Sequence, residues 1–407
     1  MKSNYKPIGD YIQLVDNRNK ELKDLPLVGV TVNKKFIPSV ANTIGTNMSN
    51  YKLIKKNQFA CSLMQVRRDG KIPVALMKDD EAIISQAYPV FKIKDTNDLL
   101  PEYLMMWMSR SEFDREACFY AVGGVRGSLE WEDFCGMQLP VPSIEKQKEI
   151  VKEYHTIVDR IKLNEELNQK LEDTAQSIYK EWFVNFEFPD ENGKPYKSNG
   201  GEMVYCDELD MEIPKKWKVS QILDIANVIT GKTPSSNNPE DFGIDVPFIT
   251  PTDYKNYGKF VTKSIRYLSN KGVKRLNNKL LPENSLLVTC IGSDMGKVVI
   301  NKSSCITNQQ INSIILNKNQ MVEYLYYNLL YNYENLKNIA IGSSTMLMIN
   351  KTDFEQIKIL NPEFKIIHKF YLLINQLSNY IWTSESMNKN LLNLKEILLS
   401  KMATLKG

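Results

Sequence analysis

The sequence predicts an α+β chain: two tandem globular domains of mixed strand and helix, each followed by one long helix, the two helices pairing as a coiled coil. Three observations predict this. Ser143 to Phe183 contains neither Gly nor Pro and is rich in Glu, Lys, Gln, Leu and Ile, the composition of an uninterrupted helix. Apolar residues recur in it every seven positions on two tracks, Ile150, Ile157, Asn164, Leu171, Ile178 and Tyr154, Ile161, Asn168, Ala175, Trp182, both turning polar at mid-helix. Adding 220 to each number finds a partner helix, with Phe370, Leu377, Ser384, Leu391, Leu398 on one track and Ile374, Ile381, Asn388, Lys395, Met402 on the other.

Amphipathic helices can be slid into register by chance, so the flanks decide. Asp133-Phe134 and Pro142 precede the first helix, and Asp353-Phe354 and Pro362 precede the second. Upstream, Glu102-Tyr103-Leu104 answers Glu323-Tyr324-Leu325, Gly70-Lys71 answers Gly296-Lys297, and Pro26 and Thr31 answer Pro247 and Thr252, with offsets between 220 and 226. A period this long is a tandem domain pair rather than a solenoid. The expected boundaries are a first domain at 1–142, a central helix at 143–185, a turn-rich linker at 186–213, a second domain at 214–362 and a C-terminal helix at 363–407.

Within the first domain, Leu27 to Val32, Phe59 to Met64 and Tyr88 to Ile93 read as strands between polar turns. A helix is expected from Pro101 to about Arg115, with Pro at its start. Gly123-Gly124-Val125-Arg126-Gly127-Ser128 is a glycine-rich loop that matches no dinucleotide or P-loop pattern. Phe183 to Pro189 reads as extended and aromatic, and Pro189 to Gly201 as a hinge. In the second domain, Leu286 to Ile291, Lys297 to Ile300 and Ile311 to Leu316 read as strands, and a tyrosine-rich helix starts near Met321. Tyr324 and Tyr331 keep helical spacing and read as packing residues rather than base-stacking ones.

Among 407 residues, 43% are apolar and 25% charged, ordinary for a globular chain. No apolar run approaches the roughly 18 to 20 residues that span a bilayer, and the start has no apolar signal region; a cytoplasmic protein is expected. Six cysteines without CxxC spacing and two histidines supply no zinc constellation, so the cysteines read as reduced packing residues. Net charge is only +4, but it is unevenly placed. Lys+Arg against Asp+Glu run 19 to 17 in 1–142, 9 to 17 in 143–213, 18 to 11 in 214–362 and 6 to 3 in 363–407. An acidic spine between more basic lobes suits lobes that touch a polyanion.

No catalytic set is found. Asn361-Pro362-Glu363-Phe364 resembles a methyltransferase tetrapeptide, but it lacks the second proline and the upstream glycine-rich cofactor loop. Gly292 to Val298 imitates a Walker loop with a three-residue gap where four are needed and Val in place of the magnesium-binding hydroxyl. Pro189-Asp190 has no downstream Glu-x-Lys. A binding protein is the expectation. Its candidate nucleic-acid contacts, all in predicted loops, are Arg67, Arg68, Lys71 and Arg126 in the first domain and Lys232, Lys274, Arg275, Lys297, Ser343 and Ser344 in the second.

The duplicated plan, with Leu139-Pro-Val-Pro-Ser-Ile-Glu-Lys-Gln-Lys-Glu-Ile-Val151 at the first helix start, resembles the specificity subunits of type I restriction-modification systems. Trp182-Phe183-Val184-Asn185-Phe186, Ile213-Pro214-Lys215-Lys216-Trp217, Thr230-Gly231-Lys232-Thr233-Pro234 and Asn308-Gln309-Gln310 look like recurring signatures of that family. Lys6-Pro7-Ile8-Gly9-Asp10 departs from its usual Pro-x-x-Trp opening, and Pro362-Glu363-Phe364-Lys365 lacks the Glu-x-Gln of the first helix start. The resemblance implies two target recognition domains, each reading half of a bipartite double-stranded DNA site, held apart by an antiparallel, pseudo-two-fold helix pair. It also implies methyltransferase and restriction/translocase subunits as partners. These would carry S-adenosylmethionine and ATP with magnesium, and this chain would bind no cofactor and catalyse nothing. In an antiparallel pair, Asn164 and Asn168 would meet Ser384 and Asn388 in one polar layer that fixes register, and helices of roughly 60 Å would set the spacer between half-sites. The competing reading is a coiled-coil scaffold whose globular ends bind other proteins.

Overall fold

The computed structural model describes residues 5–40, 46–121, 127–256, 258–292, 295–332 and 348–404. It divides into two compact units, one of Met1–Asn164 with Ser386–Gly407 and one of Glu165–Glu385. Each unit holds one globular domain and a stretch of both long helices.

The two domains repeat one topology. In the first, Ile12–Leu14, Val90–Ile93, Gln58–Cys61 and Val74–Leu76 form an antiparallel sheet in that order. In the second, Ala226–Thr230, Ile311–Leu316, Leu286–Thr289 and Val298–Asn301 take the same order, and Phe260–Val261 adds a parallel edge. A further four-stranded sheet accompanies each one. Leu27–Val30 pairs antiparallel with Phe36–Pro38 and parallel with Glu81–Ile84, as Val246–Ile249 pairs antiparallel with Arg266–Leu268 and parallel with Ile306–Thr307. A short antiparallel pair closes each domain, Tyr5–Pro7 with Gln138–Pro140 and Lys218–Gln221 with Lys358–Asn361.

The strands are apolar on both faces because both faces are covered. Leu286 and Val288 join the core that contains the long helices, while Leu287 between them joins a separate core on the other side. Val298 and Ile300 against Val299 repeat the alternation, as period-two side-chain geometry requires. In the first domain, Phe59 and Cys61 face the helix side and Ala60 the other.

The repeated residues occupy equivalent places. Tyr103 and Tyr324 are fully buried; the Tyr103 hydroxyl donates to the Pro140 carbonyl at 3.0 Å, and Tyr324 donates to that of Leu360. Phe134 and Phe354 are both core residues. Tyr327 also lies in the core, whereas Tyr331 is about half exposed, so only part of the tyrosine row packs as expected. The helix expected over Pro101 to Arg115 is two helices, Pro101–Met108 and Ser111–Tyr120. The break falls at Arg110, whose backbone is extended and whose guanidinium lies over the Trp107 ring at 4.1 Å.

The first long helix runs Ile144–Tyr179 and continues as a π-helical turn, Lys180–Val184, so Phe183 and Val184 are helical rather than extended. The second runs Phe364–Lys401. In the first unit Ile150 shares a core with Leu399 and Asn164 bonds Asn388, and in the second Tyr179 packs on Phe370 while Tyr327 and Lys259 bridge Glu172 to Ser378, so within each unit the helices run antiparallel. Of the expected seam, Ile150, Ile157, Asn164, Phe370, Ile381 and Ser384 are buried, and Ile161, Asn168, Leu171, Ile178, Leu377, Asn388, Leu391 and Leu398 are partly so. Towards the C-terminal end of each helix the buried line slips by one residue, to Tyr179 beside Ile178 and Leu399 beside Leu398. A straight helix drifts about 20° per heptad against a 3.5-residue repeat, and this slip is that drift.

The expected four-residue polar layer is two pairs of different character. In the first unit Asn164 Nδ2 donates to Asn388 Oδ1 at 2.7 Å. In the second, Asn168 Oδ1 and Ser384 Oγ are buried without a hydrogen-bond partner. The segment 186–213, expected as a turn-rich linker, carries folded structure: Met203–Cys206 pairs with Met211–Pro214 as a hairpin, and Phe186, Phe188 and Ile213 are core residues with Trp217.

Candidate nucleic-acid interface

Sheet register decides which loops share an edge. In the second domain Thr230 and Val288 both lie opposite Asn312, and Val288 lies opposite Val298. Lys232, the Asn308-Gln309-Gln310 segment and Lys297 therefore leave the sheet at one edge. Their backbones are locked together there. Lys232 N donates to the Thr307 carbonyl at 2.9 Å, Thr233 Oγ1 to Gln309 Oε1 at 2.7 Å, and Cys290 N to the Gln310 carbonyl at 2.8 Å. Gly231 is obligatory in this contact, since a Cβ there would lie 2.2 Å from the Asn308 carbonyl oxygen. Two short signatures some 75 residues apart are thus one structure, with Lys232 and Gln309 exposed on it. Ile349 N donates to the Cys290 carbonyl at 2.9 Å, which returns the chain to the same edge after residue 347. Ser343 and Ser344 themselves lie outside the described residues.

The corresponding edge of the first domain carries Arg67, Arg68 and Lys71 in the connection between Gln58–Cys61 and Val74–Leu76. Arg67 and Arg68 sit on a short helix, Val66–Asp69, that the sequence did not suggest, and Gly70 ends it in the left-handed region at φ 66°. Arg67 N donates to the Gly127 carbonyl at 3.2 Å, and a Cβ on Gly127 would lie 2.5 Å from that of Arg67. Arg67 and Gly127, 60 residues apart in sequence, are therefore in contact, and Gly127 leaves room for the Arg67 stem. Arg126 lies outside the described residues.

The cations differ in what already holds them. Arg68 Nε is 2.7 Å from Asp69, with the arginine largely exposed and the carboxylate a quarter exposed, a surface pairing that adds little stability. Arg275 is tied to Asp241 at 2.7 Å and Glu240 at 3.1 Å, so it braces its own domain, whereas the neighbouring Lys274 is exposed. Lys71 is exposed, and its charge bears on Lys34, which pairs with Asp114 at 2.7 Å. Burial lowers the Lys34 pKa against the opposing Asp114 bond, and Lys71 lowers it further. Asp114 Oδ1 also accepts from Ile72 N at 3.2 Å, which fixes the backbone that carries Lys71. Neither Lys34 nor Asp114 was singled out in the sequence, because their partnership spans 80 residues and follows no local pattern.

Other signatures serve the frame. Phe183, Phe186 and Phe188 surround the Trp217 ring at centroid distances of 5.8, 5.6 and 5.0 Å, which joins the first helix end to the start of the second domain. Gln147, of the first helix start, is fully buried. Its amide accepts from Leu100 N and donates to the Asp98 and Pro142 carbonyls at 2.8 to 2.9 Å. All six cysteines are free, and burial pushes the Cys290 and Cys305 thiols up to about 12. Among the described residues no group of three or more side chains could hold a metal ion, and no helix is long and apolar enough to cross a membrane.

Comparisons with known proteins agree on one family. The sequence profile of the type I restriction modification DNA specificity domain matches residues 6–173 and again 214–394. The HindI specificity subunit of Haemophilus influenzae is 27% identical over 428 residues, 92% of each chain. The MjaIX specificity subunit of Methanocaldococcus jannaschii is 31% identical over 183 residues, covering 44% of this chain and 41% of that one. Among solved structures, the type I restriction-modification S subunit from M. genitalium covers 99% of this chain and 96% of its own, with a TM-score of 0.60 at 13% identity, which shows the same fold. With both halves of the chain matched by one domain profile, and with those halves built on one topology, the chain belongs to the type I restriction modification DNA specificity domain family, as a specificity subunit with two such domains in tandem.

Proposed function

We propose that each domain of this specificity subunit reads one half of a bipartite double-stranded DNA target, and that the helix pair sets the spacer and docks methyltransferase subunits. Restriction/translocase subunits join that assembly, which works in the cytoplasm. The partners hold S-adenosylmethionine, ATP and magnesium; this chain binds none of them and contributes recognition without catalysis. The observation that carries the reading is the repeated edge: the same sheet connection in both domains presents Lys71 in one and Lys297 in the other. An apolar row on the second helix, Leu373, Tyr380, Met387 and Leu394, is exposed at seven-residue spacing and supports helix docking by a partner. Nothing observed favours the scaffold reading.

The test is exchange of residues 1–142 for the first domain of another family member, followed by sequencing of methylated sites. One half-site changes and the other stays. Both changing together would overturn the two-reader assignment.

A further inference from the structure

The first domain exposes an aromatic pair beside its arginine helix. On the helix Ser111–Tyr120, Phe113, Asp114 and Ala117 face the core, while Arg115 and Phe119 stand one turn apart on the opposite face. Phe119 is 77% exposed and Tyr120 40%, with their rings edge to face at 5.4 Å. The Arg115 side chain is 71% exposed and reaches Glu112 at 3.3 Å. The preceding Cys118 approaches the Val66 carbonyl at 3.5 Å, which places this helix end against the helix that carries Arg67 and Arg68. Isolated surface apolars are ordinary. Two adjoining exposed aromatics on a helix that carries Arg115 and whose end packs on the helix of Arg67 are a composite of apolar ring and cation, and the polymer that matches it has flat apolar bases inside an anionic backbone.

We infer that Phe119, backed by Tyr120, is a base-contacting residue of the first domain. Its ring lies against a base step or a thymine methyl, while Arg67 and Arg115 engage phosphates to either side. The inference rests on the reading of this domain as one half-site reader and adds the side chain that makes an apolar contact there. The Gly127 contact belongs to the same design, because it fixes the Arg67 backbone and leaves room for the Arg67 stem.

The experiment uses the full chain assembled with its methyltransferase subunits and a duplex containing the target read from methylated genomic DNA. 2-Aminopurine replaces an adenine in the first or the second half-site. Phe119→Ala lowers affinity for the target about tenfold or more, leaves the salt slope unchanged, and alters the fluorescence response at the first half-site only. Phe119→Tyr restores binding. Arg115→Ala instead reduces the salt slope by about one unit. Because Phe119 is exposed, melting of the alanine variant stays at the parent temperature. Unchanged affinity and fluorescence in Phe119→Ala overturn the assignment, and so does loss of methyltransferase co-purification with DNA contacts intact, which makes the pair a protein contact. A parent complex with no sequence preference overturns the DNA-reading function itself and this assignment with it.

Discussion

The two domain-to-helix junctions are built from residues that correspond at offsets of 220 and 221, yet they solve the same packing problem with opposite chemistry. In the second unit, Lys259 Nζ donates to Glu323 at 2.6 Å, to Ser378 Oγ at 2.8 Å and to the Tyr327 hydroxyl at 2.9 Å, with the two charged side chains only 1% and 3% exposed. In the first unit Val158, Met106 and Glu102 stand where Ser378, Tyr327 and Glu323 do, and the edge strand Phe260–Val261 that brings in the lysine has no counterpart among the described strands of the equivalent sheet. With Met and Val in place of Tyr and Ser, two of the three acceptors are gone, and these residues line an open cleft of about 630 Å³. A buried ammonium is tolerable only with a full set of partners, and of the three acceptors this cleft keeps only the carboxylate of Glu102. The helix starts show the reverse assignment. Buried Gln147 organises three backbone groups in the first unit, whereas its counterpart in the second, Ile367, is a plain apolar core residue. Duplication conserved the shape of each junction and left open which layer is polar.

The largest test of this contrast is removal of the two equivalent carboxylates. Glu323→Gln leaves a buried ammonium facing a neutral amide and costs about 3–5 kcal/mol, while Glu102→Gln stays within about 0.5 kcal/mol. Replacing Lys259 and Glu323 together by Met and Leu recovers most of the loss. Urea unfolding of the three variants measures it, and equal losses at 102 and 323 would erase the distinction.

Alkaline pH gives the next contrast. Burial raises Tyr254, Tyr324, Tyr326 and Tyr327 well above the ordinary phenol value, with neighbouring carboxylates adding to it at Tyr326 and Tyr327. Cys290 and Cys305 rise to about 12. Among the described residues the first unit has fewer such groups, chiefly Cys61, Tyr103 and Tyr154. A group raised in the folded state releases its proton first in the unfolded state. Its stabilisation is therefore intact below pH 9 to 10 and falls above it, by about 1.4 kcal/mol per pH unit for each group. Hydrogen exchange between pH 8 and 11 then loses protection in the second unit first, and earlier loss in the first unit would contradict the burial contrast.

The smallest contrast lies in the coiled coil. Asn164→Ala strands Asn388 and costs about 1–2 kcal/mol, whereas Ser384→Ala removes a hydroxyl that has no partner and changes stability by less than about 0.5 kcal/mol. Thermal melting of the pair decides. A costly Ser384→Ala would mean that the hydroxyl is satisfied in solution.

These junctions also mark where sequence reasoning reaches and where it ends. The repeat, the long helices, the strand Ile311–Leu316 and the helix–domain order follow from offsets and periodicities that belong to the chain itself. The Lys259 network could not be read that way, because its partners lie 64, 68 and 119 residues off and their meeting depends on the finished fold. The folded segment over 186–213 was missed for a related reason: its Gly, Asn and Pro turns look like a linker until Phe186 and Phe188 are seen against Trp217. Among the candidate contacts, Lys71, Lys232 and Lys297 are marked in the sequence by their glycine neighbours. Arg275 could not be told apart from them, since only the structure shows its carboxylate partners, and Phe119 carried no sequence pattern at all.

The strand pair that closes each domain has a consequence for how such a chain changes over time. Tyr5 lies opposite Pro140 and Lys218 opposite Asn361, so the polypeptide leaves each domain beside the point where it came in. Topologically each reader is a loop with a hydrogen-bonded neck, and the neck is held by backbone groups that take no account of side-chain identity. A recombination event with crossovers in the two neck segments would therefore graft a foreign reader without disturbing the frame that carries it. Stepwise mutation must instead alter contacts such as Arg67 on Gly127 while keeping the domain folded, so new specificities arrive in this architecture most readily as whole blocks.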